Sequence, residues 1–412
     1  MSKKIPRRWV SYFPGPDHLK TPVSHANLDP DLNVKAYDVI VAGLGGMGSA
    51  TACALARRGK RVLGLERFTP VHDRGSSHGA TRVIRQAYYE DPSYVPLLLR
   101  AYELWRELEE VSGRSLLVET GGLMIGDPTS GVVTGSLRSA REHGLPYELL
   151  DASQLRRRFS PLTPGKETVA LWEERAGFLW AEHAVQAHLD VATGNGAVLR
   201  FEEPVEEWSA TDSRVNVRTS RGDYEAESLV ITPGPWAPEV LDLPGVPLAV
   251  ERQVLYWFEP SCGIDSFHPA RFPVYVWEEE GGATPYGFPA LDDVSGGVKV
   301  AFYRAPDIEL CTPETIDRQI RDREVKRLRD AMRDRIPSLC GRLIRAETCM
   351  YTNTPDHHFV ISVLPEAPRV SVACGFSGHG FKFCSVVGEI MADLATGGTS
   401  THNLHLFRPG RF

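Results

Sequence analysis

The chain has 412 residues, enough for two domains and too many for one small core. Hydrophobic residues make up 42% and charged residues 24%, the balance of a soluble globular protein. The net charge of −7 argues against nucleic acid as the main partner, since such proteins carry a basic excess, and no apolar run has the length of a membrane-spanning helix. The seven cysteines (Cys53, Cys262, Cys311, Cys340, Cys349, Cys374 and Cys384) are scattered, odd in number and without CxxC spacing. That pattern excludes a disulfide framework and a zinc site, and it suits a reducing, cytoplasmic location.

Residues 1–36 read as an N-terminal arm. Lys3, Lys4, Arg7 and Arg8 precede Trp9, Val10, Tyr12 and Phe13, but Pro14, Gly15, Pro16 and Asp17 interrupt the apolar stretch that an export signal needs. An irregular arm packing its aromatics on the body is the preferred reading. Tyr37 to Ala42 then reads as a buried parallel strand, followed by a glycine turn, a helix from about Met47 to Arg58 and a strand Val62 to Leu65 ending at Glu66. This βαβ unit opens a doubly wound domain. Pro96 to Glu110 is an amphipathic helix with Leu98, Tyr102, Trp105 and Leu108 on one side.

Further along, Ser228 to Thr232 and Val370 to Cys374 read as strands of the same sheet, and a helix runs from about Lys382 to Leu394. The intervening material holds alternating strand candidates such as Val298 to Phe302. A charged helix from about Asp317 to Ile336, with alternating signs, is a solvated surface element. The expected fold is therefore α/β: a Rossmann-like dinucleotide-binding domain assembled from separated segments 37–117, 178–247 and 356–412, beside a sheet-rich α+β substrate domain from 118–177 and 248–355.

Gly43-Leu44-Gly45-Gly46-Met47-Gly48 fits GxGxxG. The first glycine permits the tight turn, the second lets backbone N–H groups approach a pyrophosphate, and the third lets the helix pack on the strand. Glu66 ends the next strand, where a carboxylate accepts hydrogen bonds from ribose hydroxyls. Strand, helix and acid in these places point to a bound dinucleotide, but the fingerprint alone does not separate NAD from FAD.

Four further stretches lie downstream in order: Gly75-Ser76-Ser77-His78-Gly79-Ala80-Thr81-Arg82-Val83-Ile84-Arg85; Tyr286-Gly287-Phe288-Pro289 leading to Lys299; Cys349-Met350-Tyr351-Thr352; and Gly375-Phe376-Ser377-Gly378-His379-Gly380-Phe381-Lys382. With them the chain from Tyr37 onward resembles the monomeric sarcosine oxidase and N-methyltryptophan oxidase family, flavoprotein amine oxidases of the D-amino-acid-oxidase superfamily. The resemblance implies FAD, with Cys349 bonded through sulfur to the 8α-methyl carbon of the flavin and with His78 and Arg82 favouring the thiolate. It places Lys299 at the flavin ring, where a cation stabilises the charge that develops on oxygen during reoxidation. It puts the Gly375–Gly380 segment and the following helix start at the flavin edge that gains charge on reduction. Gly46, Met47, Arg67, Ser77, Thr81, Val205, Gly234, Trp236, Met350, His379 and Lys382 complete the implied cofactor contacts.

The same resemblance implies that Arg85 and Lys382 hold a substrate carboxylate, an Arg fork plus an ammonium being well suited to one. The substrate is then an amino or imino acid. Tyr286 and Tyr351 match aromatics beside the substrate amine, though each reads equally well as a core aromatic. Two features depart from the family. Tyr303 stands where a substrate-binding histidine is expected, and the loop between Trp277 and Tyr286 is longer, with Glu278, Glu279, Glu280, Gly281 and Gly282. Both bear on the pocket. His357 and His358 follow Asp356, but adjacent histidines on a strand point to opposite faces, so no metal is assigned.

The expected activity is oxidation of a secondary amino acid, N-methyl or cyclic. Hydride passes to flavin N5, an imine forms, and molecular oxygen is reduced to hydrogen peroxide. The expected partners are a small amino acid and oxygen, with no nucleic acid and no membrane, and the protein is expected to be a monomer. A cyclic amino acid oxidase of a biosynthetic pathway is the nearest alternative. A flavin dehydrogenase with a protein electron acceptor and a non-catalytic nucleotide-binding regulator are the alternatives of other classes.

Overall fold

The computed structural model describes residues 7–8, 37–243, 245–290, 296–305 and 307–412. Its centre is a sheet in which Val198–Arg200, Val62–Leu65, Tyr37–Ala42, Gly222–Ile231 and Ala367–Cys374 run parallel, in that order. Strands covered on both faces must be apolar throughout, and Val62–Leu65 is buried at every residue. Val39 and Val41 turn to one face, where the helices Gly46–Arg57, Val95–Ser112, Ala181–Gly194 and Cys384–Gly397 pack together. Ile40, Leu63, Leu229 and Val370 turn to the other, against Val205, Trp208, Val215 and Val217 of an antiparallel ribbon. The register aligns Ala42 with both Leu65 and Ile231. Gly43, Glu66 and Thr232 therefore follow side by side at the carboxyl edge of the sheet, where ligands of doubly wound folds sit.

An eight-stranded sheet lies beside it, in the order Arg342–Asn353, Ala249–Glu259, Val298–Arg304, Thr284–Ala290, Val274–Trp277, Gly122–Gly126, Val169–Glu173 and Glu148–Asp151. Period-two alternation divides its long strands. Val298, Val300 and Phe302 join Tyr256 and Phe258 on a face covered by Leu328 and Met332 of the helix Asp322–Met332. Leu255, Trp257, Tyr286, Phe288, Ala301 and Cys349 turn to the opposite face, with Tyr303 packed against them. Lys299 shares that face, since it sits two residues from Ala301 and opposite Trp257. A three-stranded sheet, Thr81–Ile84, Gly177–Trp180 and Leu117–Glu119, completes the set.

Three sequence expectations change. The charged helix covers Asp322–Met332 and not the longer span from Asp317. The carbonyls of Asp317 and Gln319 accept hydrogen bonds from the buried Arg252 guanidinium, so this stretch stays a loop bound to the sheet. His357 and His358 lie in the turn between Arg342–Asn353 and Val360–Leu364, with His357 at φ +60°, so the strand geometry used for them does not apply. Among the described residues no group of three or more His, Cys, Asp or Glu is placed to hold a metal. Finally, Arg7–Arg8 is a two-residue strand beside Val205–Ala210 and not irregular chain. The rest of the arm, its aromatics included, lies outside the described residues.

Candidate active site

A cavity of about 990 Å³ extends from the carboxyl edge of the parallel sheet into the face of the second sheet. One end is bounded by Glu66, Arg67, Phe68 and Trp236, the middle by Gly43 to Met47 with Ser77, and the other end by Arg82, Met350, Tyr351, Phe376, Ser377 and Phe381. Val205, Gly234, Gly375, Gly378 and Gly380 also line it. The helix Gly46–Arg57 begins here with no side-chain cap from Gly45, so its positive end faces the cavity, where it favours an anion. Ser77 Oγ accepts from Gly46 N at 3.1 Å. A Cβ on Gly48 would lie 1.7 Å from Gly43 O, which is why the helix approaches the turn only with glycine there. Glu66 Oε2 accepts from Leu44 N at 2.7 Å and Oε1 from Phe68 N at 3.0 Å, fixing the carboxylate at the cavity wall. A helix start, a fixed acid and a cavity of about 990 Å³ suit a dinucleotide such as FAD.

Gly48, His78, Thr81, Cys349, His379 and Lys382, all expected at the cofactor, are not on this wall. Cys349 stands immediately behind it: its neighbours Ser76, Arg82 and Met350 line the cavity, and its Sγ is 3.9 Å from Arg82 Nη2 and from Ser76 O. Burial alone would raise this thiol. The charge of His78, then that of Arg82, bring it down to about 7. His78 is itself disfavoured as a cation by burial, but Cys349 and Glu347 lift it to about 9. Both His78 ring nitrogens are buried without a hydrogen-bond partner, Glu347 Oε2 lying 3.7 Å from Nδ1, so the support is mainly through charge. Arg82 is locked by the carbonyls of Thr81, Ser76 and His78 and stacks over Phe381 at 5.9 Å.

A second, smaller cavity of about 60 Å³ adjoins the first. Arg82, Tyr351, Gly378 and Phe381 line both. The small one brings together Arg85, Lys382, Tyr286, Tyr303, Tyr351 and His379 from five separate segments of the chain. Gly378 has φ +75°, and a Cβ there would lie 2.6 Å from the Tyr351 ring, so glycine admits the tyrosine to this junction. Burial raises Tyr286, Tyr303 and Tyr351, keeping all three hydroxyls protonated at neutral pH. Lys382 Nζ donates to His379 O at 2.8 Å. Burial, then the charge of Arg85, lower its ammonium to about 7. His379 bonds through Nδ1 to Tyr88 Oη at 2.6 Å and through Nε2 to His357 O at 2.8 Å. A carbonyl only accepts, so Nε2 carries the proton and Nδ1 accepts from the tyrosine. Burial lowers this imidazole to about 3, and it stays neutral.

The pocket also holds a residue that the sequence reading missed. Glu90 lines it and pairs with Arg85, Nη2 to Oε2 at 2.6 Å. Arg85 is further held over the rings of Tyr88 and Tyr89, at 4.1 Å from each. Burial would raise the Glu90 carboxyl, but the Arg85 charge, with the neighbouring positive groups and the Arg85 hydrogen bond added to it, brings the carboxyl below its usual value. An acid directly after Tyr88-Tyr89 and five residues past Arg85 was the available signal. Glu314 was missed too: it reaches the far end of the large cavity, accepting from Trp236 Nε1 at 2.8 Å.

Lys299 is fully buried, and its Nζ donates to Gly79 O at 2.6 Å and to Thr81 O at 2.8 Å. It is on the wall of neither cavity. Burial, then the charge of Arg82, push its ammonium well below the usual lysine range. The longer loop at Glu278 also lies away from both walls: Glu278 Oε2 accepts from Val132 N at 2.8 Å, folding the loop onto a neighbouring helix start.

The profile of the family described as FAD dependent oxidoreductase matches residues 38–394. Monomeric sarcosine oxidase of Streptomyces avermitilis is 54% identical over 376 residues, covering 91% of this chain and 97% of the relative. N-methyl-L-tryptophan oxidase of Salmonella agona is 34% identical over 376 residues, covering 91% and 99%. Among solved structures, NikD, an unusual amino acid oxidase essential for nikkomycin biosynthesis, superposes with a TM-score of 0.78 at 26% identity, covering 91% of this chain and 97% of that one. Together with the two adjoining cavities, these likenesses establish that the chain belongs to the family of FAD-dependent oxidoreductases, as a sarcosine-oxidase-like flavoenzyme.

Proposed function

We propose that the enzyme oxidises a small N-methyl amino acid of the size of sarcosine, with molecular oxygen as electron acceptor. The observation that carries this reading is the junction of the two cavities: a dinucleotide-sized space opens, past Arg82, Tyr351, Gly378 and Phe381, onto a pocket that adds Arg85, Lys382, Glu90 and the tyrosines Tyr89, Tyr286 and Tyr303. That pocket, at about 60 Å³, is small beside the 990 Å³ cavity, which favours a short substituent over an indole or a large ring.

Bound FAD supplies the redox chemistry, taking a hydride equivalent from the carbon next to nitrogen and returning two electrons to oxygen as hydrogen peroxide. The chain's own residues position and polarise. Arg85 and Lys382 take the substrate carboxylate, which must compete with Glu90 for the guanidinium. Tyr286 and Tyr351 present hydroxyls beside the amine, which binds neutral. Tyr303, its ring near those of Tyr351 and His379, is part of the same wall and sets pocket size. Lys299 supplies positive charge for oxygen reduction, and Cys349 attaches FAD through sulfur, aided by the His78 and Arg82 charges that lower its thiol. On this reading 37–117, 178–247 and 356–412 form the cofactor domain, and 118–177 and 248–355 the substrate domain. All seven cysteines are free, which supports a cytoplasmic location, and the name of the sarcosine oxidase relatives supports a monomer. A peroxide assay across N-methyl and cyclic amino acids tests the reading: sarcosine should give the highest kcat/KM, and a preference for a cyclic imino acid would replace it with the cyclic alternative.

A further inference from the structure

Lys299 poses an electrostatic problem that its direct contacts do not solve. Its Nζ touches two backbone carbonyls, a weak contact with Thr81 Oγ1 at 3.5 Å and the rings of Phe288 and Trp257 at 4.8 and 5.4 Å, and among the described residues no carboxylate lies within ion-pair distance. A buried cation without a counter-charge tends to lose its proton. The turn that faces it has its own anchor. Gly79 and Ala80 are consecutive residues at positive φ, +91° and +66°. Their two N–H groups both donate to one oxygen, Glu182 Oε1, at 2.7 and 3.1 Å. Ala80 O in turn accepts from Ala181 N at 2.8 Å.

The peptide between Gly79 and Ala80 is thus engaged at both ends. Its N–H points to the Glu182 carboxylate and its C=O to the Lys299 ammonium. A negative group at the N–H end polarises the amide so that its oxygen becomes a better acceptor, and chains of this kind strengthen cooperatively. We infer that Glu182 is a positioning residue for Lys299: through the Gly79–Ala80 peptide it fixes the turn whose carbonyls hold the lysine and supplies the counter-charge that keeps the ammonium protonated. The inference rests on the reading that Lys299 serves oxygen reduction. The charged groups around Lys299 are Arg82 on Thr81–Ile84, Glu182 on the first turn of Ala181–Gly194, and Cys349 and Glu347 on Arg342–Asn353. Arg82 opposes the lysine's charge and the other three favour it. Glu182 reaches it across a single peptide, Ala80 N–H to Glu182 Oε1 and Lys299 Nζ to Gly79 O, whereas Cys349 connects by way of Arg82, whose charge opposes the lysine's.

Glu182→Gln keeps an oxygen for both N–H groups and removes the charge, so it separates an electrostatic role from a merely structural one. Two measurements on the full-length holoenzyme decide the matter. The first is a double-mutant cycle on the urea midpoint with Glu182→Gln, Lys299→Met and the double variant. Glu182→Gln should lower the midpoint in the wild-type background and lower it by less than half as much once Lys299 is gone. Equal losses in both backgrounds would overturn the inference. The second is the pH profile of oxygen-dependent reoxidation of the reduced enzyme. Its Lys299-dependent midpoint should move down by about one unit in Glu182→Gln, costing up to tenfold in rate above that midpoint. An unmoved midpoint would likewise overturn it. If Lys299→Met reoxidises at the wild-type rate, the oxygen role of Lys299 fails, and the stability cycle still decides the link to Glu182.

Discussion

Arg85 and Glu90 are ion-paired in the wall of the smaller cavity, 2.6 Å apart and both almost wholly buried. If Arg85 receives the substrate carboxylate as proposed, that receptor is occupied by a carboxylate of the chain itself, and a substrate must displace or share it. Removing one partner of a buried pair leaves the other uncompensated, at a cost of about 3–5 kcal/mol. Glu90→Gln should thus lower the thermal midpoint of the ligand-free enzyme and tighten binding of a simple carboxylate such as acetate. A ligand should then restore more stability in the variant than in the wild type. Acetate titrations followed by flavin absorbance, with thermal melts beside them, check both. Weaker acetate binding in Glu90→Gln would mean that Glu90 aligns Arg85 for the substrate and does not compete with it.

Lys382 gives this binding a pH dependence whose sign follows from its environment. Burial, then the Arg85 charge, bring its ammonium down to about 7, with Glu90 opposing the shift. An anion prefers the protonated form, so carboxylate affinity should be full below that value and fall as the pH rises through it. Lys382→Arg, which stays protonated, should flatten the acetate profile. A wild-type affinity constant from two units below to two units above would contradict the assignment.

The attachment of FAD should depend on His78. The Cys349 thiol lies near 7 only because neighbouring cations outweigh its burial. His78→Asn should raise it by at least one unit, leaving about fivefold less thiolate, or lower still, at neutral pH. The fraction of flavin that stays with acid-denatured protein after short reconstitution should drop accordingly, and Cys349→Ser should retain none. Unchanged retention in Cys349→Ser would place the linkage elsewhere or remove it.

Gly378 carries a steric prediction. At φ +75°, with a Cβ meeting the Tyr351 ring at 2.6 Å, Gly378→Ala is strained twice over. It should cost about 1–3 kcal/mol and push Tyr351 into the junction of the cavities. A lower urea midpoint together with a reduced kcat is expected. A reduced midpoint with normal turnover would show that Tyr351 is not placed by this contact.

The parallel strands, the glycine turn, Glu66 and the segments meeting at the flavin end were legible because they are local patterns: apolar runs, a turn that only glycine can make, and short ordered motifs. The glutamates were not. Glu90 and Glu182 are unremarkable in the chain, and their roles come from partners that folding brings up, the Arg85 fork in one case and two N–H groups a hundred residues away in the other. The boundary of the charged helix failed for a similar reason. Its periodicity continued through Asp317 to Arg321, but Arg252, on a distant strand, claims the carbonyls there. The paired histidines were assigned to a strand because the turn that interrupts it is set by His357 at positive φ, a conformation that a histidine does not announce.

Oxygen-dependent oxidation of sarcosine by the purified holoenzyme is the most direct test of the account. Formaldehyde and hydrogen peroxide should appear in equal amounts as sarcosine is consumed, and Arg85→Ala should raise the KM far more than it lowers kcat. Peroxide formation from no N-methyl or cyclic amino acid, or turnover only with an added electron acceptor in place of oxygen, would contradict it.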